Sequence, residues 1–352
     1  MSDADLPRLL SLRTAVPSHV LEQREVMENA IGLFRAAYPD LDRLLPIYLN
    51  AAIGTRHSCV PLNWYLEPHG LKERSQLFVQ HSLDLMAEAT ERCLEELNLG
   101  LDDLDAIVVV STSGIATPSL DALLIERMQL PRTITRLPVF GLGCAGGVIG
   151  LARAAQMARA MPGKRVLCLV VELCGLTFRA HDMSKSNLVA TALFGDGAAA
   201  AILSTEGEGP AVIASGEHTF PNTLDVMGWR IEDDGFGVLF SRDIPAIVRN
   251  QFRKALDGFL GRFDLPFGSF GEFLCHPGGA KVIDALEEVL EQPAGAFDVA
   301  RTVLRRYGNM SAATVLFVLE AARANAQANH SRRLLSSLGP GFTAAFLALD
   351  PP

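Results

Sequence analysis

Nowhere in the 352 residues does an apolar run approach the ~20 residues a membrane-spanning helix needs, although 49% of the chain is hydrophobic. No membrane span is expected, and a globular chain with a large core is, as either one two-part domain or two ordinary ones. Positive charge is also in deficit: 31 Lys and Arg against 40 Asp and Glu leave a formal charge of −9. That balance argues against a nucleic-acid or anionic-membrane surface. It permits a local basic pocket, for which Arg43, Arg56 and Lys281 are candidates. The first ten residues, "MSDADLPRLL", carry acids where a signal peptide has a basic stretch and an apolar core, so a cytoplasmic protein is expected. The six cysteines (Cys59, Cys93, Cys144, Cys168, Cys174, Cys275) contain no C-x-x-C and no repeated metal-ligand spacing. Structural zinc is not expected, and in a reducing compartment all six should be thiols. Cys168, inside "VLCLVV", reads as a small buried hydrophobe.

What is present is glycine in one place. "LPVFGLGCAGGVIGLARAAQ", residues 137–156, sets Cys144 among five glycines between a strand-like run and a helical pattern. Gly141, Gly143 and Gly146 satisfy G-x-G-x-x-G, and Glu172 ends the next strand about where a dinucleotide fold places its ribose-binding acid. The same stretch also suits a nucleophile. A thiol at a helix N-terminus beside an imidazole has its pKa lowered toward neutrality, and the bare backbone around Cys144 would let an acyl oxygen approach N–H groups. Locally the two readings stand level.

The chain repeats itself. Helical patterns at about 80–97, stopped by Gly100, and near 119–128 alternate with strands at 106–114 and after, which is α/β patterning. "AIVVVSTSG" from Ala106 and "GEFLCHPGG" from Gly271 lie 271 − 106 = 165 residues apart; "GCAGG" from Gly143 and "GNMSA" from Gly308 lie 308 − 143 = 165 apart. Two segments at one offset indicate a duplicated unit, divided here into residues 1–205 and 206–352. Duplication would make Cys144 and Asn309 equivalent, each opening a central helix. His276 stands at the end of a strand before a Pro-Gly-Gly turn, a site-like position, whereas His57 and His330 read as surface or capping residues. Asn309 alone reads as an N-cap.

Together "GLGCAGG", "HPGG", "YGNMSAATVLFVL", "GPGFTAAFLAL" and "FGDGAAAAIL" resemble the type III polyketide synthases, the chalcone synthase-like branch of the thiolase superfamily, over nearly the whole chain. The resemblance implies a homodimer of five-layered αβαβα subunits with two pseudo-symmetric halves. It implies acyl-CoA and malonyl-CoA as substrates with no further cofactor, and a triad of Cys144, His276 and Asn309. Cys144 would take the acyl starter; His276 would help keep it a thiolate and, with Asn309, hydrogen-bond the thioester oxygen of malonyl-CoA as decarboxylation forms an enolate. Phe194 matches the family's gatekeeper, and the second gatekeeper should lie in "DGFGVLFSRDIPAIV", as Phe236, as Phe240 or as neither. Thr112, Gly278, Lys281 and Arg43 are assigned to substrate binding on the same resemblance. Thr117 stands where plant members place methionine and Cys174 where they place threonine, pointing to long fatty acyl starters and alkylpyrone or alkylresorcinol products. Asp196 reads as a turn former. The rivals are a β-ketoacyl-acyl-carrier-protein synthase III, an NAD-dependent dehydrogenase, and a non-catalytic thiolase-fold partner subunit.

Overall fold

A computed structural model describes residues 6–324 and 331–352; His330 lies outside them. The strands are β1 (Arg8–Ala15), β2 (His19–Glu22), β3 (Thr55–Ser58), β4 (Ala106–Ser111), β5 (Thr135–Phe140), β6 (Val166–Leu173), β7 (Asp196–Ser204), β8 (Ala211–Thr219), β9 (Met227–Glu232), β10 (Gly235–Phe240), β11 (Phe270–Cys275), β12 (Arg332–Gly339) and β13 (Thr343–Asp350). The helices are α1 (Gln23–Phe34), α2 (Pro46–Asn50), α3 (Leu71–Leu97), α4 (Leu120–Met128), α5 (Gly146–Ala160), α6 (Lys185–Leu193), α7 (Ile244–Ile247), α8 (Arg253–Arg262), α9 (Ala280–Val289), α10 (Asp298–Tyr307) and α11 (Thr314–Arg323).

Nine strands run in the order β11-β12-β13-β8-β1-β7-β6-β4-β5, which is nearly a palindrome. On one side β4 and β6 pair parallel, then β6–β7 and β7–β1 antiparallel. On the other, β11 and β12 pair parallel, then β12–β13 and β13–β8 antiparallel. The halves meet at one pairing, Arg8 with Ala211. Such a repeat of order and direction is the duplicated unit in three dimensions.

The layers follow from burial. Along β4, Ile107 and Val109 face one core with Phe78, Met86 and Leu94 of α3, while Val108 and Val110 face a second core with α5 and α11. Alternation along β6 and β7 is the same, so both faces are covered and these strands read as unbroken apolar runs. Helices α5 and α11 lie between the two halves of the sheet, and α8 covers the far face, where Phe259 stacks on Phe346 at 5.3 Å. This is the αβαβα arrangement.

Close approach of the central helices depends on glycine. A Cβ on Gly147 would lie 2.2 Å from the Ala312 carbonyl oxygen and 2.6 Å from Val315 Cγ1. Helix α3 starts at Leu71, nine residues before its expected start, and ends with Asn98 in the left-handed region. The repeat is also looser than expected: the turns into the central helices, Gly143–Ala145 and Ser311–Ala313, are 311 − 143 = 168 residues apart. Asn309 therefore precedes its turn where Cys144 is inside its own, and the two are not residue-for-residue equivalents.

Gly147→Ala gains helix propensity of at most about 1 kcal/mol, but the overpacked contact costs about 1–3 kcal/mol. Chemical denaturation should show a net loss, while Gly258→Ala on the solvent face of α8, with nothing within 4 Å, should be neutral or slightly stabilising. Equal stability for both variants would refute the close-approach argument.

Candidate active site

Cys144 is the middle residue of the turn that enters α5. The turn is held from behind, because the Gly143 N–H donates to Thr112 Oγ1 at 2.9 Å and Pro340 fills the space beside Gly143 (φ +48°). His276 follows β11, its N–H donating to the Ser336 carbonyl at 2.8 Å. Asn309 bridges to Phe194, donating to the Leu193 carbonyl at 2.8 Å and accepting from the Gly195 N–H at 3.0 Å. Its side chain is oriented at both ends: Oδ1 accepts from the Ser311 N–H at 2.8 Å and Nδ2 donates to the Gly278 carbonyl at 3.2 Å. The N-cap of the turn that follows is Met310 and not Asn309; the Asn309 side chain instead holds the Ser311 N–H and also hydrogen-bonds Cys144.

Cys144, His276, Gly278 and Asn309 line one cavity of about 20 Å³, closed by Met227, Phe240 and Phe252. A second, of about 30 Å³, meets Cys144 from the side of the β9–β10 hairpin, walled by Phe194, Trp229, Phe240 and Ser311. Trp229 packs edge-on against Phe194, ring centroids 5.9 Å apart. Beyond Phe240, Gly278 and Val282 opens a cavity of about 540 Å³ carrying Arg43, Lys185, Arg242 and Lys281. A fourth, of about 70 Å³ and mostly apolar, lies behind Phe194 and is lined by Leu21, Val26, Leu33, Cys174, Thr177 and Phe178.

The structure thus brings Cys144, His276, Asn309 and Gly278 together, with Arg43 and Lys281 in the adjoining basic cavity and Phe194 as a partition. Cys174 lies behind that partition. Thr112 lines none of these cavities; its hydroxyl is committed to the turn that carries Cys144. Thr117 is exposed and lines none of them either. Phe240 walls three of the cavities, whereas Phe236 stacks behind Trp229. Arg56 is not available to a phosphate: it is buried, with its guanidinium on main-chain carbonyls. Sequence reasoning missed Lys185, Arg242, Ser311 and Trp229. The last had a faint signal as one of only two tryptophans.

The dinucleotide reading fails on packing. Glu172 is fully buried, its Oε2 accepting from the N–H groups of Thr112 and Ser113 at 3.0 and 2.9 Å. The spaces beside Gly143, Gly146 and Gly147 are filled by Pro340, Val110 and Ala312, leaving no berth for a pyrophosphate. On their Cβ sides, then, the glycines admit protein.

Burial dominates the electrostatics. It pushes the Cys144 thiol up to about 12, with hydrogen bonding from Ser311 opposing and the nearby Glu172 charge adding. It lowers His276 to about 3, and neither ring nitrogen has a partner among the described residues. The expected lowering of the thiol is therefore reversed. Burial thus favours the neutral thiol and the neutral imidazole. Glu172 is raised to about 7, burial outweighing its hydrogen bonds.

Comparison with known proteins agrees with this geometry. The family described as chalcone and stilbene synthases matches through its N-terminal domain at residues 60–207 and its C-terminal domain at 212–350. The chain is 37% identical to a 1,3,6,8-tetrahydroxynaphthalene synthase of Streptomyces peucetius, over 96% of this chain and 92% of the other. It is 30% identical to a 3,5-dihydroxyphenylacetyl-CoA synthase of Streptomyces toyocaensis, over 96% and 88%. The crystal structure of 1,3,6,8-tetrahydroxynaphthalene synthase from Streptomyces coelicolor, a bacterial type III polyketide synthase, superposes with a TM-score of 0.91 at 29% identity, covering 97% of this chain and 99% of that one.

A carboxyl at about 7 when folded and in the ordinary range when unfolded keeps a proton that the unfolded chain releases. Stability is then lost as pH rises through that window, by up to about 3 kcal/mol. Glu172→Gln removes this loss. Denaturation at pH 5, 6 and 7 should show the variant gaining on the wild type as pH rises; a constant difference would mean that Glu172 is ionised throughout.

Proposed function

The chain belongs to the chalcone and stilbene synthase family, and on that premise we propose that it is a type III polyketide synthase working through Cys144, His276 and Asn309. The carrying observation is their convergence, from both halves of the fold, on one buried cavity that adjoins a basic one. Coenzyme A thioesters would enter through the larger cavity, their phosphates met by Arg43, Lys185, Arg242 and Lys281, with no further cofactor. His276, neutral and unpartnered, takes the Cys144 proton as the sulfur attacks the starter thioester, and coenzyme A leaves as a thiol. Burial makes general-base transfer at the moment of attack a better description than a standing ion pair. Malonyl-CoA then loses CO2. The enolate oxygen receives hydrogen bonds from His276 and Asn309, and the carbanion attacks the acyl-cysteine to form a carbon–carbon bond and release the Cys144 sulfur.

For the starter, the apolar cavity behind Phe194, with Cys174 and Thr177 on its wall, supports a long acyl chain and alkylpyrone or alkylresorcinol products. A short starter is the second reading, favoured by the small size of the two cavities at Cys144. We place the boundary between the halves at 205–206, in the connection from β7 to β8. A homodimer is also proposed: edge strand β5 leaves Phe140 57% exposed, and Ile115, beyond the end of the neighbouring strand β4, is 53% exposed, apolar surface that a partner would cover.

Intact-protein mass measurement after incubation with acetyl- to palmitoyl-CoA should show an acyl adduct on the wild type and none on Cys144→Ala, the preferred chain length naming the starter. His276→Ala and Asn309→Ala should each lower malonyl-CoA decarboxylation by about 100-fold or more. An adduct that survives in Cys144→Ala would end the proposal. Phe140→Asp should convert a dimer to a monomer in sedimentation velocity; an unchanged mass would place any interface elsewhere.

A further inference from the structure

Arg56 carries a charge that the site chemistry does not use. It lies on β3 with 4% of its surface exposed. Its Nη1 donates to the carbonyls of Thr191 at 2.6 Å and Phe194 at 3.0 Å, and its Nη2 to the carbonyl of Ala192 at 3.2 Å and to Gln23 Oε1. These carbonyls stand at the end of α6, where helix geometry leaves acceptors without partners and the helix dipole favours a cation. Asp196, the acid whose charge acts on Arg56, has its carboxylate on the N–H groups of Cys59 and Gly175 instead. The guanidinium is therefore matched by main-chain dipoles, which gives its fork a geometry that a point charge would not reproduce.

Two further main-chain bonds leave from the segment so held. Leu193 accepts from Asn309 N–H, and Gly195 N–H donates to the Asn309 carbonyl. Gly308, at φ +70°, and Gly195 flank the guanidine stem so closely that a Cβ on either would stand 3.5 and 3.3 Å from Arg56 Cβ. Between them, Phe194 walls the Cys144 chamber. Cys144 itself hangs on another support, Thr112 and Pro340.

We propose that Arg56 is a positioning residue that fixes Asn309 and Phe194 together through the end of α6, so that it governs decarboxylation and not the loading of Cys144. The proposal rests on the role given above to Asn309. A misplacement of about 1 Å can cost up to about 100-fold in rate, so a loosened anchor should be visible kinetically before the fold fails.

The test compares Arg56→Lys and Arg56→Gln with the wild type in three readouts: melting temperature, single-turnover acylation of Cys144, and malonyl-CoA decarboxylation. Arg56→Lys should lower decarboxylation about tenfold or more while acylation stays within about threefold, and Arg56→Gln should be worse in decarboxylation than Arg56→Lys. Parallel loss of acylation and decarboxylation in step with melting temperature would reduce Arg56 to a general structural role. A raised KM for both thioesters with kcat unchanged would make it a phosphate ligand. Unchanged decarboxylation in both variants would overturn the anchor outright. Asn309→Ala is the separate control: full decarboxylation in that variant would remove the underlying role of Asn309, and the anchor's purpose with it.

Discussion

The contact of α5 with α11 and the turn that leads into it, made at Gly147 against Val315 and the Ala312 carbonyl, is the constraint on which the rest depends. Each helix belongs to one half of the chain and is covered by both halves of the sheet, so the two can lie side by side only where one presents no side chain. The turns that precede them are thereby brought to one place. Cys144 and Asn309, both almost fully buried, share a cavity although 165 residues separate them, and His276 joins them from the end of β11. An added methyl group at that crossing would press on two helices and, through them, on the site.

The depth that makes this convergence possible also sets its chemistry. Removal from water disfavours every charge, which is why Cys144, His276 and Glu172 all move toward their neutral forms. The helix N-terminus at Cys144 is too small an effect to reverse that, being worth at most about 2 kcal/mol in partly buried settings. A neutral imidazole with two unpartnered nitrogens is a better hydrogen-bond donor to a forming enolate than one already engaged. The desolvation that opposes the thiolate at rest strengthens the interactions available once charge appears on the substrate.

Local chemistry was legible in the sequence and burial was not. The α/β alternation could be read because β4, β6 and β7 are covered on both faces and so appear as unbroken apolar runs. Cys144, His276 and Asn309 could be read because each lies at the end of a regular element, beside glycine or proline. Arg56 could not: "GTRHS" shows a cation, and only the fold shows it under the end of α6. Trp229 escaped, and Phe240 could not be told from Phe236, for a related reason. Among the described residues, strands β9 and β10 pair only with each other, and the face of that ribbon that meets Cys144 is the one packed against Phe194. The three-residue slip between the repeated turns likewise leaves no mark in residue types, since both turns begin with small residues.

The two supports of the site are distinct and meet at Ser311, which bonds Asn309, Cys144 and Glu172, and that arrangement has a consequence for specificity. Cys144 is held by the 111–113 turn and Glu172; Phe194 and Asn309 are held by α6 and Arg56. Phe194 is also the partition between the chamber at Cys144 and the apolar cavity beyond, with Trp229 against its other side. A starter long enough to need that second cavity would have to displace the Phe194 ring, while the backbone of the same residue stays bonded to the segment that carries Asn309. Accommodation of the starter and alignment for decarboxylation thus meet at one residue, where the side chain can yield without the main chain moving.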